Sequence, residues 1–262
     1  VRVSWMRTAV AGVTAAAAMM MGACSDETPK APTTSPGVTG SVTVFAAASL
    51  TESFTQIGKD FEAANPGAKV TFNFAGSSAL ATQITQGAPA DLFAAASPAT
   101  MKTVTDAGDG EGTPVVFVKN QLVIAVPKGN PKGINTLENL TKSDLKVALC
   151  AEQVPCGAAA KKAIDAAGLK ITPVTLEQDV KAALAKVKLG EVDAALVYRT
   201  DTIAAAADIQ GIEFPESAKA FNDYPIIVLK GAPNKTAAQA FLAWVLSDKG
   251  KAVLSKAGFL AP

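Results

Sequence analysis

From residue 41 the spacing of apolar positions switches repeatedly between two periods. Val42 to Phe45 form a short apolar run of the kind that fills an interior strand. From Leu50 the apolar residues fall at Leu50, Phe54, Ile57 and Phe61, the three-and-four spacing of one helix face. The pattern then repeats: "AKVTFNF" as strand, "ALATQITQG" as helix, "ADLFAAAS" as strand, and "PATMKTVTDAG" as a helix with Pro98 in its first turn. Two apolar strands follow, "PVVFVK" and "QLVIAVPKGN". After them the alternation starts again, with "DLKVALC", "ITPVT" and "EVDAALVY" as strands around the helices "GAAAKKAIDAAG" and "DVKAALAKVKLG". The strand "DYPIIVLKG" and two helices, near Phe241 to Leu246 and Lys251 to Leu254, close the chain. Such alternation predicts an α/β fold with a mostly parallel sheet, and its restart after a strand pair predicts two lobes. Ligands of such sheets bind beyond the carboxyl ends of strands, where helices begin.

The first of these joints has two readings. Ser49 is followed three residues on by Glu52, the S-x-x-E signature of a capping box, in which the serine hydroxyl satisfies the helix's own first-turn amides. The same joint could instead offer free N–H groups and a hydroxyl to an anion.

The first forty residues follow a different pattern. Arg2 and Arg7 precede the apolar stretch "TAVAGVTAAAAMMMGAC", which ends in small residues as an export signal does. It is short for a membrane span and no basic stop-transfer run follows. "MGAC", ending at Cys24, resembles a bacterial lipobox, so residues 1–23 are expected to be a signal peptide and Cys24 to carry lipid. An uncleaved anchor or a plain secretory signal are the other readings. Residues 24–40, with three prolines and many small polar residues, read as a flexible tether reaching about 50 Å at about 3.1 Å per residue. The chain is thus expected outside the cell, held to the membrane's outer face.

At 262 residues, 49% hydrophobic and 18% charged, the chain has ample material for a globular core. The whole chain carries +1; cleavage before Cys24 removes two arginines and no acid, and so turns the balance slightly negative. No basic field for nucleic acid remains, and the only arginine beyond the leader is Arg199. The chain has no histidine, which argues against a hydrolase triad and most zinc sites. The stretch "DAGDGEGTP" lacks the ligand spacing of a calcium loop and reads as a turn.

The other joints resemble the first. "FAGSSAL" presents Gly76, Ser77 and Ser78; "VPCGAAA" presents Cys156 and Gly157; "LEQDVKAAL" presents Asp179 and Val180. Each could be an ordinary cap or tight turn, and the two glycines permit unusual backbone angles or close approach of a ligand.

In this order and at these separations, "VFAAASL", "FAGSSALATQI", "GAPADLFAAAS", "VPCGAAA", "DVKAAL" and "LVYRTD" resemble the periplasmic molybdate-binding proteins of ABC importers, from about Val42 to the C-terminus. The resemblance implies a two-lobed periplasmic-binding-protein fold of type II, with a hinge. One lobe would comprise 41–119 plus 218–262 and the other 120–217. It implies a monomer that is no enzyme and needs no cofactor. Such a protein captures molybdate or tungstate and delivers it to the membrane permease and ATPase subunits of an importer. Carried over by motif, the oxyanion contacts are the hydroxyls of Ser49, Ser77 and Tyr198 and the backbone amides of Cys156 and Val180. Two positions depart from the family pattern: Gly76 stands where serine is common, and Cys156 where a small residue such as alanine is common.

Physical chemistry agrees with that assignment. A tetrahedral dianion needs several donors converging from different directions, and hydroxyls, helix-start amides and a phenol supply them without a cation. Molybdenum would be present only within the bound oxyanion. Tyr198 has a plainer reading, a packed ring whose hydroxyl bonds a backbone carbonyl. Asp201 would repel an oxyanion and is expected to cap the next helix or orient the site. Cys150 and Cys156 flank "AEQVP", and export makes a disulfide between them the expectation, with two buried thiols the alternative. Competing functions are a sulfate or phosphate binder of the same fold, a transferase using the cleft, and a surface protein with a vestigial cleft.

Overall fold

The computed structural model describes residues 37–262. The expected leader, Cys24 and most of the tether lie outside these residues. Strand β1 (Thr39–Ala47) begins within the expected tether, because Thr39 and Gly40 pair in parallel with Gly67 and Ala68. A 3-10 turn (Ala48–Leu50) leads into α1 (Thr51–Ala64), which buries the expected stripe of Phe54, Ile57 and Phe61. Next come β2 (Gly67–Ala75), α2 (Ser77–Thr85), β3 (Leu92–Ala94), α3 (Pro98–Asp106) and β4 (Gly110–Asn120). The chain continues through β5 (Leu122–Pro127), β6 (Val147–Cys150), α4 (Pro155–Ala167), β7 (Thr175–Glu177), α5 (Val180–Lys188), β8 (Ala194–Tyr198), α6 (Arg199–Ala204) and β9 (Ile209–Ile212). It ends with β10 (Asn222–Leu229), α7 (Lys235–Leu246) and α8 (Asp248–Lys256).

These strands make two five-stranded sheets, ordered β2-β1-β3-β10-β4 and β7-β6-β8-β5-β9. In the first, β1 runs parallel to β2 and β3, while β10 is antiparallel to β3 and β4. The second repeats this mixture: β6 is parallel to β7 and β8, and β5 is antiparallel to β8 and β9. Each sheet thus has four strands running one way, as expected, and one strand inserted against them, β10 in the first and β5 in the second. The opposed strand has a topological cause: it is the one by which the chain enters from the other sheet, β5 into the second and β10 into the first.

Each sheet has its own apolar core. Edge-to-face contacts of Phe54 and Phe61 with Phe241, at 6.4 and 5.2 Å between centroids, join α1 to α7 over the first sheet. Around the second sheet, Ile124, Ala148, Leu196 and Val197 are wholly or almost wholly buried beneath α4 and α5. The chain crosses between sheets twice, at Gln121 between β4 and β5 and through 213–221 between β9 and β10.

Three local expectations change. "ITPVT" is not a strand over its length, since Pro173 has no N–H for a ladder and pairing starts beyond it, at Thr175. The turn read at "DAGDGEGTP" is shorter, because β4 already begins at Gly110. The capping box at Ser49 and Glu52 does not form: α1 has no side-chain cap, and Glu52 faces Lys181.

Candidate functional site

Where the sheets' carboxyl ends meet, a small cavity of about 20 Å³ is lined by Ala47, Ala48, Ser49, Ser77, Ala96, Pro155, Cys156, Asp179, Val180 and Tyr198. All five candidate contacts, Ser49, Ser77, Cys156, Val180 and Tyr198, thus share one space, although they come from five segments and both sheets. No lysine or arginine lines it.

Each segment enters as the end of a strand. β1 delivers Ser49 through its 3-10 turn, β2 delivers Ser77 as the first residue of α2, and β8 ends on Tyr198. β6 is followed by Pro155, which fixes the first turn of α4 and leaves Cys156 second. The first backbone bonds into α2 and α4 run from Leu80 N–H to the Gly76 carbonyl (3.1 Å) and from Ala158 N–H to the Val154 carbonyl (3.0 Å). Neither helix has a side-chain cap, so the amides before those positions have no cap of their own. In α5, Asp179 caps the Ala182 N–H at 2.9 Å, so its carboxylate is already engaged and the Val180 amide stays free of it.

The two glycines at these joints serve close approach and not special angles, as neither has positive φ. A Cβ on Gly76 would collide with the Gln178 carbonyl oxygen across the cavity mouth, and one on Gly157 with the Ala151 carbonyl oxygen. Cys150 and Cys156 are joined by a disulfide, with Cα atoms 5.7 Å apart, around the turn that carries the Cys156 amide. The Cys156 sulfur is thereby no free thiol.

The hydroxyls are held from behind. Ser77 Oγ accepts the Ala96 N–H at 3.0 Å, and so keeps its own proton to donate. Ser49 Oγ lies 2.8 Å from the Tyr224 hydroxyl, in place of the expected cap. The Tyr198 hydroxyl accepts from Asn222 Nδ2 at 2.7 Å, where the plainer reading expected a backbone carbonyl. Burial, followed by the neighbouring Tyr224 and Asp201, holds the Tyr198 phenol well above its ordinary pKa, so it is protonated at physiological pH. Tyr224 is likewise pushed up, chiefly by burial. Tyr224, Asn222 and Asn120 were not legible as site residues. Their only sequence signal is polarity at the ends of otherwise apolar strands.

Asp201 is fully buried and accepts the Tyr198 N–H at 3.2 Å, so it caps α6 as expected. Its other oxygen, Oδ1, has no hydrogen-bond partner but lies 3.1 Å from the Lys181 ammonium, a charge contact without hydrogen-bond alignment. Burial pushes the Asp201 pKa to about 6, the nearby Lys181 offsetting part of the shift. Burial alone would lower the Lys181 pKa, but Asp201 and Glu52 outweigh it and raise it. Lys181 also reaches across to Glu52 at 2.7 Å, and Ser78 Oγ donates to the Gln153 carbonyl at 2.9 Å, so the two halves touch over the cavity.

A family model described as bacterial extracellular solute-binding protein matches residues 42–260. The chain belongs to that family. Among curated members, the molybdate-binding protein ModA of Mycobacterium tuberculosis is 46% identical over 222 residues, 85% of each chain. An ABC transporter substrate-binding lipoprotein of Bacillus subtilis, YvgL, is 32% identical over 229 residues, 84% of this chain and 86% of the other. The periplasmic molybdate-binding protein of Azotobacter vinelandii superposes with a TM-score of 0.74 at 21% identity, covering 84% of this chain and 99% of that one, which establishes the shared fold. Among the described residues no helix is long and apolar enough to cross a membrane, and no cluster of three or more acidic or cysteine residues could hold a metal ion.

Proposed function

We propose that this solute-binding protein captures molybdate, and tungstate as well, in the cavity between its sheets and presents it to the permease and ATPase of an ABC importer. The observation that carries this reading is the convergence of helix-start amides and three hydroxyls on a small cavity lined by no lysine or arginine. Ser49, Ser77 and Tyr198 donate through oxygen, and Cys156 and Val180 through backbone nitrogen. A hydrogen bond to a charged acceptor contributes about 1.5 to 3 kcal/mol, so five such donors hold a dianion against the cost of desolvating it. A smaller tetrahedral anion such as sulfate leaves some fixed donors unmet, which is costly in a buried site. The 46% identity to a chain named for molybdate supports this ligand over sulfate or phosphate.

Closure follows from the two crossings. Residues 41–119 with 218–262 form one lobe and 120–217 the other, and Gln121 and 213–221 are the hinge. The protein works as a monomer and a carrier, a reading supported by the engagement of two reactive groups at the cavity, Asp179 as a cap and the Cys156 sulfur in a bond to Cys150. That bond presets the turn that aims the Cys156 amide. Lipid on Cys24 holds the protein to the outer face of the membrane, a reading supported by the lipobox-like "MGAC" and by a relative named as a lipoprotein.

Calorimetric titration of the purified chain tests the ligand. Tight one-to-one binding of molybdate and of tungstate, with no heat from excess sulfate or phosphate, is the expected result. Equal or tighter binding of sulfate or phosphate would reassign the site, and no heat from any oxyanion would remove the function.

A further inference from the structure

Behind the cavity lies a buried layer that no contact with the ligand requires. Asn120 Nδ2 donates to Thr200 Oγ1 at 2.9 Å and to the Tyr224 hydroxyl at 3.4 Å. Its amide cannot be turned over, because Asn120 Oδ1 accepts the Gln121 N–H at 3.0 Å. On the opposite side, Asn222 Nδ2 donates to the Ala96 carbonyl at 2.7 Å and the Pro155 carbonyl at 3.3 Å, as well as to Tyr198. Carbonyls only accept, so this amide too has one orientation. Asn120, Asn222, Tyr198, Tyr224 and Ser49 are all buried, so water does not compete for these bonds.

The consequence is directional. An amide NH2 group has protons and no acceptor capacity, so both phenol oxygens must accept from it. Each phenol is left with a single proton to place elsewhere. The proton of Tyr198 has two acceptors within reach, the neighbouring Tyr224 hydroxyl and an anion in the cavity that Tyr198 lines. The proton of Tyr224 has Ser49 Oγ at 2.8 Å, and a serine that accepts there turns its own proton away, toward the cavity. Donation the other way, from Ser49 to Tyr224, would crowd a phenol oxygen that already accepts from Asn120 and would show the ligand a lone pair.

We propose that Asn120, acting through Tyr224, and Asn222 are positioning residues that fix Ser49 and Tyr198 as donors into the cavity. The proposal rests on the reading of the cavity as an oxyanion site. Both asparagines stand at the crossings between the sheets, Asn120 as the last residue of β4 and Asn222 as the first of β10. The orientation of the hydroxyls is therefore set by the same segments on which the halves turn.

A double-mutant cycle tests it, with Tyr224→Phe measured in the native chain and in Ser49→Ala, using molybdate titration and thermal unfolding of the empty proteins. Loss of the relay should weaken molybdate binding about tenfold in the native background and by less than twofold where Ser49 is already alanine. An equal loss in both backgrounds, or none in either, would overturn the proposal, since a merely structural role does not depend on the Ser49 hydroxyl. If Tyr224→Phe does not fold, Asn120→Ser carries the same cycle, with about a threefold loss expected in the native background alone. Failure of the unmodified chain to bind molybdate is a different result, which removes the proposed function and the positioning role with it.

Discussion

The helix starts of this protein are of two kinds. Those whose capping residue stays out of the cavity lining close themselves: Ser97, next to the lining residue Ala96, accepts the Thr100 N–H, Asn234 the Ala237 N–H and Ser247 the Gly250 N–H, at 3.3, 3.2 and 3.4 Å. Those at the cavity, α2 and α4, have no side-chain cap, and α1 is preceded by a 3-10 turn whose serine bonds Tyr224 instead. α5 lies between the kinds, capped at Ala182 but presenting Val180. The same residue type thus does opposite work: Ser97 satisfies its own helix, while Ser49 and Ser77 are held from behind. A helix start that forgoes its own cap is one whose cap can come from outside.

The strongest way to break this comparison is to give the open starts an internal anion. Ala47→Asp, immediately before the 3-10 turn and lining the cavity, should put a carboxylate among the donors and weaken molybdate binding at least a thousandfold by titration. A folded variant that still binds tightly would mean that the donors do not form one site. A milder contrast exchanges the two kinds of serine. Ser77→Ala should cost one charged hydrogen bond, about 1.5 to 3 kcal/mol or roughly ten- to a hundredfold in affinity. Ser97→Ala should cost about 1 kcal/mol of unfolding free energy and leave affinity within twofold. If both variants lose affinity alike, the distinction between starts fails.

The smallest effect concerns Asp201. Its pKa is raised from 3.8 to about 6 by burial, so the folded chain binds this proton more tightly than the unfolded chain does. Stability from this group therefore rises as pH falls through about 6 and levels off near the unfolded value. Lys181 and Glu52 are the charged groups facing it, and the raised Lys181 pKa keeps that cation charged throughout this range. Relative to Asp201→Asn, the native chain should gain about 1 kcal/mol between pH 7 and pH 5 in urea unfolding, following about 1.4 kcal/mol per pKa unit. A flat difference would show that Asp201 ionises as an exposed carboxylate does.

Much of this architecture was readable along the chain. Phe54, Ile57 and Phe61 marked the buried face of α1 because packing on a sheet requires helical spacing, and Pro98 marked the start of α3 because its ring suits a first turn. The convergence of "AAAS", "AGSS", "VPCG" and "QDV" at one place could be inferred only through resemblance, since spacing along one chain does not say which strand ends are neighbours. The Ser49–Glu52 box misled for the same reason. Its local geometry was available, but Tyr224 lies 175 residues away and Lys181 129 away, and these distant partners took both side chains. Asn120 and Asn222 were silent because nothing in a short polar step distinguishes an ordinary strand end from a crossing between sheets.

The absence of any lysine or arginine from the cavity lining also has an electrophoretic consequence. A cage of neutral dipoles stabilises an anion without cancelling it, and none of its donors gives up a proton near neutral pH. With the proposed dianion bound, the protein would therefore be more negative than when empty by the full charge of that cargo. Two charges are a large change for a chain whose acids and bases nearly balance. Occupancy becomes visible as a shift toward the anode in a native gel, with no label and no altered residue.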